Sequence, residues 1–393
     1  MKWPADRIAQ SSPKSFGMYE KAVSYMEKGI DLIHLGFGKP SFDTPKHIKK
    51  ACIEALEGGL VHYGDFRGNA GFRQAIVKKL RRDNAMDYSD REVLVTNGLT
   101  HGSYGVLMAA IDEGDEVILL DPYYPQYINK IELAGGVVVR APLDKENNFS
   151  INPDLIEAKI TDRTKMICLV NPANPTGRVY TRAELQSLAD LAIKHNLFVL
   201  SDEVYEQICF DGNQHISIAT LPGMRERTFT LFAFTKAYAM DGWRVGYLAA
   251  DEAFIPAIMN IFMNDVVHVN VFVQEGARMA LEGSQDCIAE ALSEDKRRRD
   301  LVVNCLNAMP GVSCTSPNAT IYAFPDISAT GKSSQQIADE LLEQHHVVVE
   351  TGEFYGDVGA GRIRVCFGAE EYERIAEAMQ RMQVYFESLN RNS

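Results

Sequence analysis

Several features that would assign a function outright are missing from this chain. No stretch of its 393 residues approaches the apolar length of a transmembrane helix. The opening MKWPADRIAQSSPKSF lacks the apolar core of a signal peptide. C-x-x-C does not occur. The seven cysteines (Cys52, Cys168, Cys209, Cys287, Cys305, Cys314 and Cys366) are odd in number and widely spaced. Several sit in apolar runs such as MICLV and RVCFG, where cysteine behaves as a small core residue. This pattern argues against a disulfide framework or a zinc site, and it predicts a reducing cytoplasm and no metal. Excess positive charge is missing as well. A formal net charge of −13 argues against a general nucleic-acid surface and against an anionic membrane as partner. Neither G-x-x-x-x-G-K-[ST] nor the dinucleotide G-x-G-x-x-G is found, and there is no internal repeat or low-complexity segment.

What remains is a chain 46% hydrophobic and 24% charged, the balance of a soluble globular protein long enough for two domains. From residue 92 onward, apolar runs alternate with helical patterns. Residues 92–96, 116–120, 137–140, 165–170, 197–201, 228–234 and 244–249 read as strands. Residues 71–82, 98–111 and 182–195 read as helices, the last opened by a Thr181–Glu184 capping box. An apolar-faced helix separates the second and third strands. Strands that are apolar throughout predict an α/β fold with a mostly parallel sheet covered by helices on both faces. Earlier, a weak helical pattern spans 18–26, and Thr44-Pro45 opens another helix ending at Gly58-Gly59. Beyond about 285 the pattern becomes α+β, with helices over 294–307 and 334–345 and strands over 320–326, 347–350 and 362–367. The expected division is an arm with part of a small domain over 1–45, a large domain over 46–284 and a small C-terminal domain over 285–393.

Sites of open α/β sheets lie at the carboxyl ends of the strands, and here those ends carry chemistry. Asn97-Gly98-Leu99-Thr100 opens a helix whose free N–H groups suit a phosphate, although a glycine there also simply eases a turn. DPYYPQY places Tyr123, Tyr124 and Tyr127 at the same edge, to stack on a flat ring or to pack the turn. NPANPTG offers the amide of Asn174. Asp202, after FVLS, is a carboxylate drawn to a buried edge, where it needs a positive partner such as a protonated ring nitrogen. Tyr205 follows three residues later. Lys236 ends the strand 228–234, where it is either a snorkelling charge or an amine of lowered pKa suited to a Schiff base, with Arg244 eight residues on. A ligand that would use a phosphate site, a ring platform, a ring-nitrogen partner, a phenol and an amine together is pyridoxal 5'-phosphate.

In this order, NPANPTG, SDEVY and FTKAYAMDGWRVGY resemble the class I/II aminotransferases of the fold type I pyridoxal-phosphate enzymes, in their aspartate and aromatic aminotransferase branch. The likeness runs from GFGKPSFDTP to GRIRVCFG. It implies an α-β-α sandwich with a smaller α+β domain, in an obligate homodimer. It implies that Lys236 holds the cofactor and shuttles the substrate proton, and that Asp202 keeps the ring nitrogen protonated. Asn174 and Tyr205 would bond the ring oxygen, and Tyr124 would stack on the ring. Gly98, Leu99, Thr100 and Arg244 would hold the phosphate, with Tyr63 reaching it from the partner subunit. Arg364 would clamp the substrate carboxylate, helped by Asn174 and the backbone at Gly38.

The chain departs from its relatives in places. Ala233 stands where many carry serine, removing a phosphate hydrogen bond of about 1.5–3 kcal/mol. Gly38-Lys39-Pro40-Ser41 replaces Gly-Glu-Pro-Asp. His34, four residues before Gly38, is either a packing histidine or a proton donor facing the substrate. Arg362, two residues from Arg364 on one strand face, reads as a solvent or inter-domain charge rather than a second clamp.

The leading expectation is exchange of an amino group between an α-amino acid and a 2-oxo acid. A second is O2-consuming oxidation of L-arginine, or other chemistry without transamination, on the same scaffold. The acidic balance, Ala233 and His34 are compatible with that second reading. A regulatory protein on this fold would carry an added DNA-binding domain, for which the span of the likeness leaves no room.

Overall fold

Both faces of the main sheet are covered, and this explains why its strands read as unbroken apolar runs. The structure is a computed structural model that describes residues 3–9, 11, 12 and 16–391. Residues 1, 2, 10, 13–15, 392 and 393, which belong to the expected arm and C-terminal domain, lie outside the described residues. In chain order the strands are β1 (Ile33–His34), β2 (Val93–Thr96), β3 (Glu116–Asp121), β4 (Val137–Pro142), β5 (Thr164–Val170) and β6 (Phe198–Asp202). Then come β7 (Thr228–Ala233), β8 (Gly246–Ala249), β9 (Tyr322–Ala323), β10 (Val347–Val348), β11 (Glu350–Thr351) and β12 (Ile363–Cys366). The helices are α1 (Asp6–Ala9), α2 (Met18–Met26), α3 (Lys46–Glu57), α4 (Ala70–Asn84), α5 (Gly98–Ala110), α6 (Gln126–Leu133) and α7 (Pro153–Glu157). They continue with α8 (Arg182–Lys194), α9 (Ile255–Asp265), α10 (Val271–Glu282), α11 (Asp286–Ala308), α12 (Ser334–His345) and α13 (Tyr372–Arg391).

The seven-stranded sheet has the order β2-β8-β7-β6-β5-β3-β4, and β8 alone runs antiparallel to its neighbours. Successive residues face opposite layers, as the two-residue strand period requires. In β3, Val117 and Leu119 pack toward α5, α6 and α9, whereas Ile118 and Leu120 pack toward α7 and α8. Val93 and Val95 of β2 join a third cluster with α4 and α10. The Thr181–Glu184 capping box forms as the sequence predicts.

A further core joins α2 and β1 to the C-terminal third of the chain, with Tyr205, Ile208 and Phe210 packed into it from the segment after β6. There Met18, Ala22, Ile33 and Leu35 pack with Val302, Leu341, Val365 and Phe386. Its sheets are small: β11-β12-β9 is antiparallel and β1-β10 is parallel. The expected strands over 320–326 and 347–350 shrink to two-residue pieces.

Sequence patterning assigns no element between 250 and 285, yet α9 and α10 lie there. Apolar residues on α9 outnumber its polar ones, which blurs the helical period. Proline 45 sits just before the first helical residue rather than inside it. Arg244 lies ahead of β8, with a positive φ of 54°, and not within the strand. Among the described residues, no helix is long and apolar enough to cross a membrane.

Candidate active site

The carboxyl ends of β2, β3, β5, β6 and β7 and the start of antiparallel β8 share one edge of the sheet. At that edge α5 begins with Gly98 at a φ of 73°, a left-handed conformation that side chains resist. A Cβ on Gly98 would fall 2.6 Å from Nη2 of Arg244, so the guanidinium lies directly over the helix start. Arg244 Nη1 donates to the Asp241 carbonyl at 2.8 Å. His101 Nδ1 accepts the Asn97 N–H at 3.1 Å, with its ring stacked on Phe262, which braces the turn from behind. Leu99 and Thr100 continue the first turn, Thr100 exposed. A cation laid over unsatisfied N–H groups is a site for a dianion such as a phosphate ester.

Asp202 ends β6 and is only 3% exposed. Its Oδ2 accepts the Tyr127 O–H at 2.8 Å and its Oδ1 accepts the Val204 N–H at 3.2 Å. Among the described residues it makes no ion pair. Burial pushes its carboxyl up to about 6, against the pull of Tyr127, Val204 and the nearby Lys130 ammonium. A buried carboxylate with spare lone pairs and no ion pair suits a protonated ring nitrogen.

Lys236 follows β7 and is half-buried in the cleft, with Nζ donating to the Gly38 carbonyl and 5.8 Å from the centre of the Tyr205 ring. Loss of water around it pushes the ammonium down to about 8. Arg364 adds to that effect, while Cys366, Asp241 and Asp202 oppose it. An amine of this kind is neutral often enough near pH 8 to act as nucleophile and base. A Cβ at Gly38 would fall 2.0 Å from the Tyr322 hydroxyl, so only glycine lets this backbone approach.

Arg364 lies on β12 and is buried. Nη1 donates to Asn174 Oδ1 at 3.0 Å and Nη2 to the Gly36 carbonyl at 2.6 Å, while Nε is buried without a partner among the described residues. The guanidinium centre is 4.2 Å from the Tyr322 ring centre and 4.9 Å from that of Tyr355. Donors left over on a fixed guanidinium are what a carboxylate ligand requires. Asn174 is buried in the loop after β5, which Asn171 anchors by donating its N–H to the Asp202 carbonyl at 3.0 Å. The Tyr205 and Tyr322 hydroxyls share a hydrogen bond of 2.7 Å. Tyr124 lines a recess with Asn174 and Tyr127, where burial pushes its phenol up to about 12.

The structure therefore gathers Lys236, Asn174, Tyr205, Asp202, Tyr124, Arg364 and Gly38 around one cleft, with Gly98, Leu99, Thr100 and Arg244 at the same sheet edge. It does not bring in two residues. Tyr63 is 85% exposed, with its ring edge-on to His268 at 5.5 Å between ring centres. His34 packs against Tyr19 and Phe37, its two ring nitrogens without hydrogen-bond partners among the described residues. Burial, aided by the charge of Lys39, lowers its pKa to about 4, so the ring is neutral near pH 7. Arg362 is structural, paired with Asp326 at 3.0 Å and donating to the Phe324 carbonyl.

Sequence reasoning misses Tyr322, Tyr355 and Glu350, which carry no local motif. Glu350 is buried opposite Arg364 in the β11–β12 register and accepts the Met18 N–H at 3.0 Å and the Thr351 N–H at 2.9 Å. Tyr127 is legible only as one of three loop tyrosines, with nothing to mark it as the partner of Asp202.

Comparison with known proteins agrees with this geometry. The family model for aminotransferase class I and II matches residues 30–381. An aspartate aminotransferase of Pyrococcus abyssi is 38% identical, over 90% of this chain and 91% of that one. An arginine–pyruvate transaminase of Pseudomonas aeruginosa is 37% identical, over 93% of each. The structure of Thermus thermophilus aspartate aminotransferase with maleate superposes with a TM-score of 0.92 at 32% identity, covering 98% of this chain and 100% of that one. An amine, a buried carboxylate, a phosphate cradle and a carboxylate clamp on this fold, with relatives of this kind along nearly the whole chain, lead to one conclusion: the chain belongs to the class I and II aminotransferases, pyridoxal-phosphate-dependent enzymes that transfer an amino group between an amino acid and a 2-oxo acid.

Proposed function

We propose that the residues gathered at the sheet edge divide the work of transamination as follows. Lys236 is the cofactor's covalent anchor and the base that moves the substrate's α-proton. The supporting observation is its amine, lowered to about 8, in the cleft that also holds Asp202, Asn174, Tyr205 and Arg364. Pyridoxal phosphate, when bound, supplies an aldehyde that condenses with amines and a ring that accepts the electrons of the broken Cα–H bond. Asp202 holds a proton on the ring nitrogen, and Asn174 and Tyr205 donate to the ring oxygen. Tyr124 stacks on the ring, while Gly98, Leu99, Thr100 and Arg244 hold the phosphate. Arg364, with Asn174 and the backbone at Gly38, orients an α-carboxylate so that the Cα–H bond faces Lys236.

The working unit is a homodimer in which Tyr63 reaches the phosphate of the opposite subunit. In its support, Tyr63 is exposed, as are the apolar side chains of Ile53, Leu56, Val61 and Phe66 near it in the chain. Sedimentation should give a dimer, and Met263→Asp should weaken both association and activity. The core shared by α2, β1 and the C-terminal third supports a small domain of residues 1–45 and 285–393 against a large one of 46–284. Seven free thiols favour a cytoplasmic location.

The test is a half-reaction. Amino acid alone should bleach the cofactor's visible band, and a 2-oxo acid should restore it, with no oxygen uptake under air. Lys236→Ala should abolish both changes. Failure with every common amino acid and 2-oxo acid pair would refute the proposal.

A further inference from the structure

Asp202 does not stand alone beneath the cleft. Tyr127, on α6 and 1% exposed, places its hydroxyl 2.8 Å from Oδ2 of the carboxylate, while the Val204 N–H holds Oδ1 at 3.2 Å. One turn further along α6, on the same face, Lys130 sets its ammonium 5.0 Å from the centre of the Tyr127 ring. Lys130 Nζ donates to Ser103 Oγ at 2.6 Å, and Ser103 Oγ donates to the Thr100 carbonyl at 3.1 Å. A buried chain therefore runs from the first turn of α5, where the phosphate cradle lies, through Ser103, Lys130 and Tyr127 to Asp202.

We propose that Tyr127, backed by Lys130, is a positioning residue for Asp202: its O–H fixes the carboxylate plane and disperses its charge, so that the proton shared with the cofactor ring stays on the ring nitrogen. This rests on the assignment of Asp202 as the ring-nitrogen partner. Each carboxylate oxygen has two lone pairs. With one on each oxygen already used, the remaining acceptor directions are set before the ring arrives. The groups acting on Asp202 pull in opposite directions. Tyr127 and Lys130 both favour the ionised carboxylate, whereas burial and the neighbouring Glu203 oppose it. The Tyr127 phenol is itself held well above its ordinary range by burial, so it remains a donor throughout the working pH range. Without it, the carboxylate becomes more basic and the shared proton shifts from the ring toward it.

Holoenzyme reconstituted with pyridoxal phosphate carrying 15N in the ring tests this directly, because the nitrogen's chemical shift reports where the proton sits. Wild type should resonate near the protonated-pyridine position and Asp202→Asn near the neutral one. Tyr127→Phe should fall between them, with the proton's distribution altered about tenfold or more, the equivalent of one lost hydrogen bond to a charged acceptor. Lys130→Met should move the same way by less. A resonance in Tyr127→Phe that coincides with wild type, while Asp202→Asn moves, would overturn the proposal and show that the bond merely packs α6 on the sheet. If Asp202→Asn itself leaves the resonance in place, the assignment of Asp202 fails and takes this inference with it. Should Tyr127→Phe not fold, Lys130→Met decides, and an unmoved resonance there refutes the chain.

Discussion

Replacement of Arg364 by lysine is the perturbation whose size the structure defines best. The guanidinium has five N–H donors. It gives one to Asn174 Oδ1 and one to the Gly36 carbonyl, and its Nε–H is buried without a partner among the described residues. Three donors thus remain for a substrate carboxylate, in the planar fork that suits bidentate contact. A lysine ammonium has three donors in all. If two replace the bonds to Asn174 and Gly36, at most one is left for the ligand. At least one charge-assisted hydrogen bond is lost, about 1.5–3 kcal/mol, or roughly 10- to 150-fold in kcat/KM. Arg364→Ala removes every donor and leaves two carbonyl oxygens and the incoming carboxylate unpaired, so a loss of about 3–5 kcal/mol follows, roughly 10²- to 10⁴-fold. The assay is the amino-acid half-reaction under single-turnover conditions, run in parallel with the corresponding amine that lacks the α-carboxylate. Both variants should discriminate less between amino acid and amine, because only the amino acid loses a contact. An equal fall for both compounds would show that the substitution acts through the fold, and an unchanged amino-acid rate would refute the carboxylate clamp.

The rate at which apoenzyme attaches pyridoxal phosphate covalently should rise with pH through a midpoint near 8, because the neutral amine of Lys236 is the reactive form; stopped-flow absorbance giving a midpoint near 10.5 would contradict this. Gly98→Ala places a Cβ at a φ of 73° and within 2.6 Å of Arg244 Nη2, at a backbone cost of about 1–2 kcal/mol. Equilibrium dialysis should then show cofactor affinity reduced about tenfold or more. Burial raises the Glu350 carboxyl from 4.5 to about 7, so the native state binds a proton that the unfolded chain releases. The stability this confers is complete below about pH 4.5 and is lost as pH rises to about 7. Glu350→Gln should therefore gain on wild type across that window, by at most roughly 3 kcal/mol in urea titrations at each pH.

The elements that sequence shows clearly are those whose surroundings leave one solution. Strands apolar on both faces must be covered on both, which predicts the parallel sheet, and the Thr181–Glu184 box marks the start of α8 to the residue. Lys236, Asp202 and Asn174 are legible because polar groups at the ends of apolar strands need a chemical reason. The rest depends on long-range packing. Tyr322 becomes part of the cleft only because β9 pairs with β12, and Glu350 only because its strand lies in register with Arg364. Neither pairing leaves a periodic mark in strands two residues long. Helix α9 escapes notice because apolar residues crowd it and blur its period. Arg244 is read as the first residue of a strand that begins two residues later, since a left-handed backbone at a non-glycine residue has no sequence signal.

The single antiparallel strand has a mechanical consequence. Because β8 runs against its neighbours, the chain leaving β7 returns at the same sheet edge, and one short connection, 234–245, carries both Lys236 and Arg244. The covalent handle and the phosphate cation are therefore spaced by chain length and strand pairing, as two points on one bracket. Any tilt of the small β11-β12-β9 sheet would carry Arg364 with it and leave that spacing unchanged. Grip on the cofactor is thus insulated from movements that adjust the hold on the substrate, and an insertion within 234–245 would damage both cofactor contacts at once.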